Sequence, residues 1–143
     1  NADLIARPPR GTTHVVVDTP AGLHGWRFKD VMKMADKVIV PVQPSVFDIF
    51  ATRAFLDELA ANKHADKHKI ALVGMRVDAR TIAAEKLHAF VDSTGLPVLS
   101  YLRDTQNYVH LAAHGLTLFD VPPSARFEKD LEQWQPICHW LDN

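Results

Sequence analysis

The sequence predicts an α/β fold in which a parallel β-sheet is flanked by helices. Short, β-branched apolar runs alternate along the chain with longer stretches whose apolar residues recur at helical spacing. Short turns rich in proline and glycine separate the two kinds of segment. Strands and helices that alternate in this way favour βαβ crossovers, and such crossovers produce a parallel sheet with helices against its faces.

Four apolar runs have the length and composition of buried strands. The predicted strands cover 14–19 (HVVVDT), 37–42 (KVIVPV), 70–77 (IALVGMRV) and 98–102 (VLSYL). The first is ended by Thr-Pro-Ala-Gly, and the second is stopped by Pro41 and Pro44.

Four segments are predicted to be helical. They cover 47–62, 81–93, 108–115 and 124–141. Gly95 and Pro97 follow the second segment as a C-terminal glycine and a terminating proline should. Pro136 lies inside the last one, and we expect it to interrupt that helix because proline lacks a backbone N–H.

Composition predicts a single domain that spans residues 1–143. The chain is 47% hydrophobic and 23% charged, enough apolar content for a sizeable core. Its formal net charge is −1, so it has no overall basic field that would draw it to nucleic acid or anionic lipid. The one cysteine cannot form an internal disulfide, and no apolar run is long enough to span a membrane. We therefore expect a cytoplasmic protein without an integral membrane segment.

Two residues of the segment HVVVDTPAGLHG have the chemistry of a phosphate site. In α/β sheets, ligands bind beyond the carboxyl ends of the strands, and Asp18 is predicted to lie at such an end. A carboxylate there can hold a magnesium ion through water, and the backbone N–H of Gly22 can approach a terminal phosphate because no Cβ blocks it. A capping aspartate in an ordinary loop gives the same local pattern, so the motif alone leaves both interpretations open.

Read in order, four segments resemble the ParA/MinD family of P-loop ATPases. VVVDTPAGL resembles the family's Walker B and switch II segment, and ADKVIVPVQPS its next strand and proline-bearing loop. VGMRVDART resembles the strand and loop on the base side, and LRDTQNYVHLAAHGLTLFD the segment that leads to the carboxy-terminal helices. Together the four segments extend over nearly the whole chain.

This resemblance implies a deviant Walker ATPase that positions plasmids, chromosomes or large protein assemblies. Such a protein is expected to form a homodimer around ATP and magnesium, to bind non-specific DNA or a membrane surface, and to hydrolyse ATP when a partner protein stimulates it. By the same resemblance, Asp18 is the catalytic carboxylate that holds magnesium through water. Gly22 senses the γ-phosphate.

The resemblance also assigns residues around the base. Pro41 shapes the wall near the nucleotide, and Met75 stands where many relatives place an asparagine that bonds adenine. Methionine cannot supply that paired donor and acceptor, which leaves the base specificity open. Arg76 is expected to lie along the base or ribose, and Arg80 corresponds to an exposed basic position of DNA-binding relatives.

The chain departs from the family in one respect. It contains no Gly-x-x-x-x-Gly-Lys-Thr phosphate loop, and its six glycines are not clustered. Phosphoryl transfer depends on that loop's N–H groups and lysine, so we expect this chain alone neither to hydrolyse ATP nor to bind it tightly. We expect either a piece of a longer protein or a shortened gene product. The alternative function is a non-enzymatic interaction module derived from this fold.

The missing loop has a structural consequence. In the family, the phosphate-loop strand lies beside the strand that carries Asp18. Without it, apolar strand edges on 14–19 or 37–42 should be exposed. We predict that these two strands pair directly or that another chain covers them.

Other potential sites have weaker signals. His64 with His68 and His110 with His114 are spaced as metal ligands on a helix can be, but neither pair has an obvious third ligand. Cys138 beside His139 is expected to be a packing residue. Related ATPase-class enzymes, such as a dethiobiotin synthetase-like ligase or a nitrogenase iron protein, are further rivals, and a single cysteine disfavours the latter.

Overall fold

A computed structural model describes residues 7–20, 25–63 and 66–143, without the side chains of residues 25 and 26. Three strands form one parallel sheet in the order β1-β2-β3. The strands are β1 (Val38–Val42), β2 (Ile70–Val77) and β3 (Val98–Arg103). The helices are α1 (Gly25–Met34), α2 (Val46–Ala60), α3 (Ile82–Thr94), α4 (Gln106–Ala113) and α5 (Glu128–Asp142), and a short 3₁₀ turn covers Lys67–Lys69. The prediction of a parallel α/β fold is confirmed.

The central strand, β2, is paired on both sides. Val38 to Val42 lie in register with Ile70 to Gly74 on one side, and β3 follows the other side with two shifts of register. The first five residues of β2 are all buried, as expected for a strand covered on both faces. Three of the four predicted strands therefore exist where the apolar runs placed them.

Two hydrophobic clusters lie on opposite faces of the sheet. The larger one joins buried residues of β1 and β2 to α1, α2 and α3, with Phe28, Leu59 and Leu87 among its members. The other places Ile137 of α5 against Val73 and Leu102. A third cluster joins α4 and the following loop to Phe127. Helices on both faces complete the three layers that the alternating pattern predicts.

The start of α2 and α3 follows standard capping chemistry. The Ser45 hydroxyl accepts a hydrogen bond from the backbone N–H of Asp48, and the Thr81 hydroxyl accepts one from Ala84. Gly95 ends α3 with a left-handed φ of 69°. These caps fix both helices at the edge of the sheet where β1 and β2 end.

The predicted strand 14–19 is wrong. Residues 12–20 have no regular secondary structure and are exposed, with the Val16 side chain 91% accessible. A strand requires a backbone partner, and no described strand pairs with this segment. Direct closure of 14–19 against β1 is therefore also wrong, and the outer edge of β1 pairs with no strand among the described residues.

Two helix predictions also need correction. α5 continues through Pro136 instead of being interrupted there. Pro136 is exposed, so water can satisfy the carbonyl that loses its N–H partner. α1 was not predicted, although Phe28 and Met32, one helical turn apart and both buried, are its signal in the sequence.

Gly74 is required by the close approach of Tyr101 from the neighbouring strand. A Cβ at position 74 would lie 2.4 Å from Cδ1 of the tyrosine ring, which also packs at a tilt against the His88 ring with ring centres 4.1 Å apart. No real Cβ contact is that short, so a side chain at 74 would displace the ring.

Gly74→Ala should therefore destabilise the chain by about 1–3 kcal/mol, the usual cost of overpacking a core. Urea denaturation of Gly74→Ala, Tyr101→Leu and the double variant measures the effect. Because the clash is with the ring, the loss from Gly74→Ala should shrink when residue 101 is leucine. An equal loss in both backgrounds would contradict this explanation.

Candidate functional site

The candidate site lies at the carboxyl ends of β2 and β3, where the polar residues after adjacent parallel strands come together. The backbone N–H of Asp104, just after β3, donates to the carbonyl of Val77 at the end of β2 over 3.1 Å. The Asp104 carboxylate also faces Arg76, with Nε and Oδ1 3.6 Å apart. The two strand ends are thus joined by both backbone and side chains.

Arg76 has an unusual backbone conformation. Its φ is 53°, in the left-handed region that few residues other than glycine adopt. Arg76 and Asp104 keep much of their side chains exposed, so a ligand could reach them. Arg76 thus combines a strained backbone with an accessible ion pair at the end of a parallel strand, which is typical of a binding role.

Met75 lies on the face of the sheet that α5 covers. Its half-buried side chain packs against the cluster of Val73, Leu102 and Ile137 on the α5 face. Met75 therefore contributes to the hydrophobic packing between the sheet and α5. Pro41 is exposed in β1, in register with Val73.

Arg80 is held in a local ion pair. Its Nε and Nη2 donate to the two carboxylate oxygens of Asp78 over 3.0 and 2.9 Å, and its backbone N–H also donates to Oδ1. These hydrogen bonds lower the pKa of Asp78 to about 2 and raise that of Arg80. The guanidinium charge is thereby partly neutralised at a position that the sequence predicts to contact DNA.

The structure does not place Asp18 at the end of a strand. Asp18 lies in the exposed, irregular stretch after the incorrectly predicted strand, so the structure does not support its position at a strand exit. Gly22 lies outside the described residues. Their predicted roles in holding magnesium and sensing phosphate remain predictions.

A buried polar network, missed by the sequence reasoning, holds this site in place. Asp130 of α5 is fully buried, and its carboxylate accepts from Nε and Nη2 of Arg103 over 2.5 and 3.0 Å. Asn107 donates to the same carboxylate over 2.9 Å and to the carbonyl of Arg126 over 3.1 Å. Gln133 accepts from the backbone N–H of Arg103. These hydrogen bonds therefore connect the end of β3 to α4 and α5.

The network stays charged because its hydrogen bonds favour the ionised forms. The bonds from Arg103 are the main cause that lowers the pKa of Asp130, and they outweigh burial, which acts in the opposite direction. The same bonds raise the pKa of Arg103. The sequence carried one signal for this network, an arginine directly after a buried run, but its partner lies 27 residues further along the chain.

The described residues also limit other kinds of site. No group of three or more histidine, cysteine or acidic residues within the described ranges could hold a metal ion. The rings of His110 and His114 pack against each other at a tilt, with ring centres 4.9 Å apart, and His64 lies outside the described residues. Across the part of the chain that the structure covers, no helix has both the length and the apolar content to cross a membrane.

Fold and site together define an α/β protein with a parallel sheet and a polar cluster at the carboxyl ends of its strands. The chain is similar to Maintenance of carboxysome distribution protein A from Halothiobacillus neapolitanus (strain ATCC 23641 / c2), with 27% identity over 118 residues. The match covers 81% of this chain and 55% of that protein, so it spans about half of the relative's length. No protein-family model matches the chain.

Asp130→Asn should destabilise the fold by about 1–3 kcal/mol at neutral pH, because it removes the buried carboxylate that accepts charge-assisted hydrogen bonds from the half-buried Arg103. Asp36→Asn, at an exposed carboxylate, is the matched control and should change stability little. Urea denaturation at several pH values measures both variants.

The direction of the Asp130 pKa shift determines how its contribution to the free energy of unfolding depends on pH. Because the folded-state pKa of Asp130 is lowered, its stabilising contribution is present above the unfolded pKa of about 3.9 and is lost as the pH falls through the lower folded value. The difference between wild type and Asp130→Asn should therefore narrow as the pH falls below about 4. A constant difference across that range would rule out the charged pair as the source.

Proposed function

We propose that this chain is the carboxy-terminal part of a ParA/MinD-like ATPase that positions an intracellular cargo. The observation that carries the proposal is the similarity to a relative whose name is Maintenance of carboxysome distribution protein A, over 81% of this chain. The parallel α/β fold supports it, since three of the four segments that resemble the family include residues of β1, β2 and β3. Chromosome or plasmid partitioning are other cargoes of the same proposed class.

In the proposed mechanism, the intact protein binds ATP and magnesium at the carboxyl ends of the strands and forms a homodimer in the cytoplasm. Arg76 and Asp104 would line the base side, with Pro41 on the neighbouring strand. Asp18 would hold magnesium through water, and Gly22 would contact the γ-phosphate. A partner protein would stimulate hydrolysis, and non-specific DNA is the proposed surface.

The position of Asp18 is consistent with this proposal only if 14–19 becomes a strand in the intact protein. The outer edge of β1 has no partner among the described residues, and the neighbouring apolar side chains of 15–17 are exposed. A phosphate-loop strand inserted between them would pair with both and place Asp18 at a strand end. The proposed site therefore depends on a segment that the chain as given does not contain.

The alternative is a non-enzymatic interaction module that keeps the fold without nucleotide chemistry. The exposed, irregular segment around Asp18, which lies at no described strand end, favours it. The genomic sequence upstream of Asn1 distinguishes the two functions. An in-frame glycine-rich loop with its lysine supports the ATPase, whereas a start codon close to Asn1 supports the module.

The chain as given should bind ATP with magnesium no more tightly than roughly 1 mM, about 4 kcal/mol, because it has no phosphate loop. Isothermal titration of the chain with ATP and magnesium measures this affinity. The intact protein, if the upstream loop exists, should bind far more tightly, and Asp18→Asn should abolish its hydrolysis. Micromolar binding by the chain alone would mean that the phosphate site is elsewhere.

If the DNA surface of the intact protein includes Arg80, Arg80→Ala should weaken its DNA binding with ATP and reduce the salt slope by about 1. Asp78→Asn should have the opposite effect, because it frees the guanidinium from its local partner. Filter binding at several salt concentrations measures both. DNA binding that is unchanged in both variants would exclude this loop from the interface.

A further inference from the structure

Two histidines lie one helical turn apart at the end of α4. His110 belongs to the helix, His114 follows its last residue, and both are exposed. Residues four apart on a helix are neighbours on its surface, so both rings can reach one point in the solvent. The helix that carries them is fixed, because Asn107 and Leu111 of α4 are buried.

A hydrogen bond within the pair holds the His114 ring in one orientation. Its Nδ1 lies 2.9 Å from the backbone carbonyl oxygen of His110. A carbonyl oxygen only accepts hydrogen bonds, so Nδ1 must carry the proton of this bond. The lone pair of the neutral ring is then on Nε2. Histidines that bind metals commonly donate their other ring N–H to a carbonyl, which fixes the nitrogen that faces the ion.

The separation of the two rings matches that of imidazoles that share a metal ion. Metal–nitrogen bonds of about 2.0–2.1 Å place each ring centre about 3.2 Å from the ion. Two rings bound at an angle of about 90–109° then have their centres about 4.5–5.2 Å apart. The centres of the His110 and His114 rings are 4.9 Å apart, within this range.

We propose that His110 and His114 chelate one divalent late transition-metal ion, of the nickel or copper type, with water in its remaining coordination positions. Imidazole nitrogen suits these ions, which accept mixed nitrogen and oxygen ligands. Within residues 7–20, 25–63 and 66–143, no group of three or more histidine, cysteine or acidic residues could hold a metal, so water must complete the coordination. Magnesium prefers oxygen ligands, so this site is distinct from the one proposed at Asp18.

The hydrogen bond from His114 would also be present if this residue only capped α4. Histidine side chains near the end of a helix can bond its last carbonyl groups. Capping requires His114 alone, whereas chelation requires both rings and their spacing. Variants that change His110, or the spacing alone, therefore separate the two roles.

Isothermal titration with nickel chloride, from roughly 1 µM to 1 mM, tests the proposal. All proteins carry His68→Ala, which removes the other pair of histidines spaced by four positions. His110→Ala should raise the dissociation constant for Ni²⁺ at least about tenfold, because the remaining imidazole loses the second ligand that the helix holds beside it. His139→Ala, at an exposed histidine of α5, is the matched control and should leave the affinity unchanged.

A spacing variant tests the geometry without changing the number of histidines. Ala112→His combined with His114→Ala places the two imidazoles two positions apart, where residues of a helix do not face each other. Ala112 is exposed, so the exchange should retain the fold, which circular dichroism verifies. This variant should bind Ni²⁺ as weakly as His110→Ala does. In addition, Ni²⁺ should raise the Tm of the parent chain more than that of either variant, since it binds the pair in the folded state.

Three results would overturn the proposal. They are binding of Ni²⁺ by the parent chain no tighter than roughly 1 mM, parent-like affinity in His110→Ala, and parent-like affinity in the spacing variant. The second and third would leave His114 with a capping role alone. None of these results depends on ATP or magnesium, so they are separate from the test of the proposed function.

Discussion

The pairing of β2 with a strand on each side is the constraint on which the rest of this structure depends. β2 is the only described strand with partners along both edges, and its buried residues contribute to the clusters on both faces of the sheet. The ends of its neighbours are therefore fixed relative to its own end. Arg76 and Asp104, far apart in the sequence, meet because parallel strands end at the same edge.

A second constraint, the pairing of the half-buried Arg103 with the buried Asp130, couples α5 to that edge of the sheet. Hydrophobic packing of α5 on the sheet would permit sliding, because apolar contacts are not directional. Two charge-assisted hydrogen bonds to a fully buried carboxylate, with Asn107 as a third donor, fix one position. Such a network is costly unless every member is satisfied, and no described buried side-chain polar atom lacks a partner.

Several apolar or unpaired surfaces remain open in the described part of the chain. They are the outer edge of β1, the exposed valines of 15–17 and the exposed apolar side chains of α2. Exposure of such apolar or unpaired groups to water is unfavourable. The upstream strand proposed above would cover the first two of these. The match to the relative spans only about half of that protein's length.

The sequence by itself determined the elements whose partners lie within the chain. The runs at 37–42, 70–77 and 98–102 became strands, and the segments 47–62 and 81–93 became α2 and α3, because periodicity acts over a few residues. The strand prediction is wrong at 14–19, because this apolar run has no partner strand among the described residues. Only the tertiary structure decided which distant side chains meet, as with Arg103 and Asp130, and which apolar face of α2 stays exposed. Those outcomes depend on how whole elements pack, which no local pattern encodes.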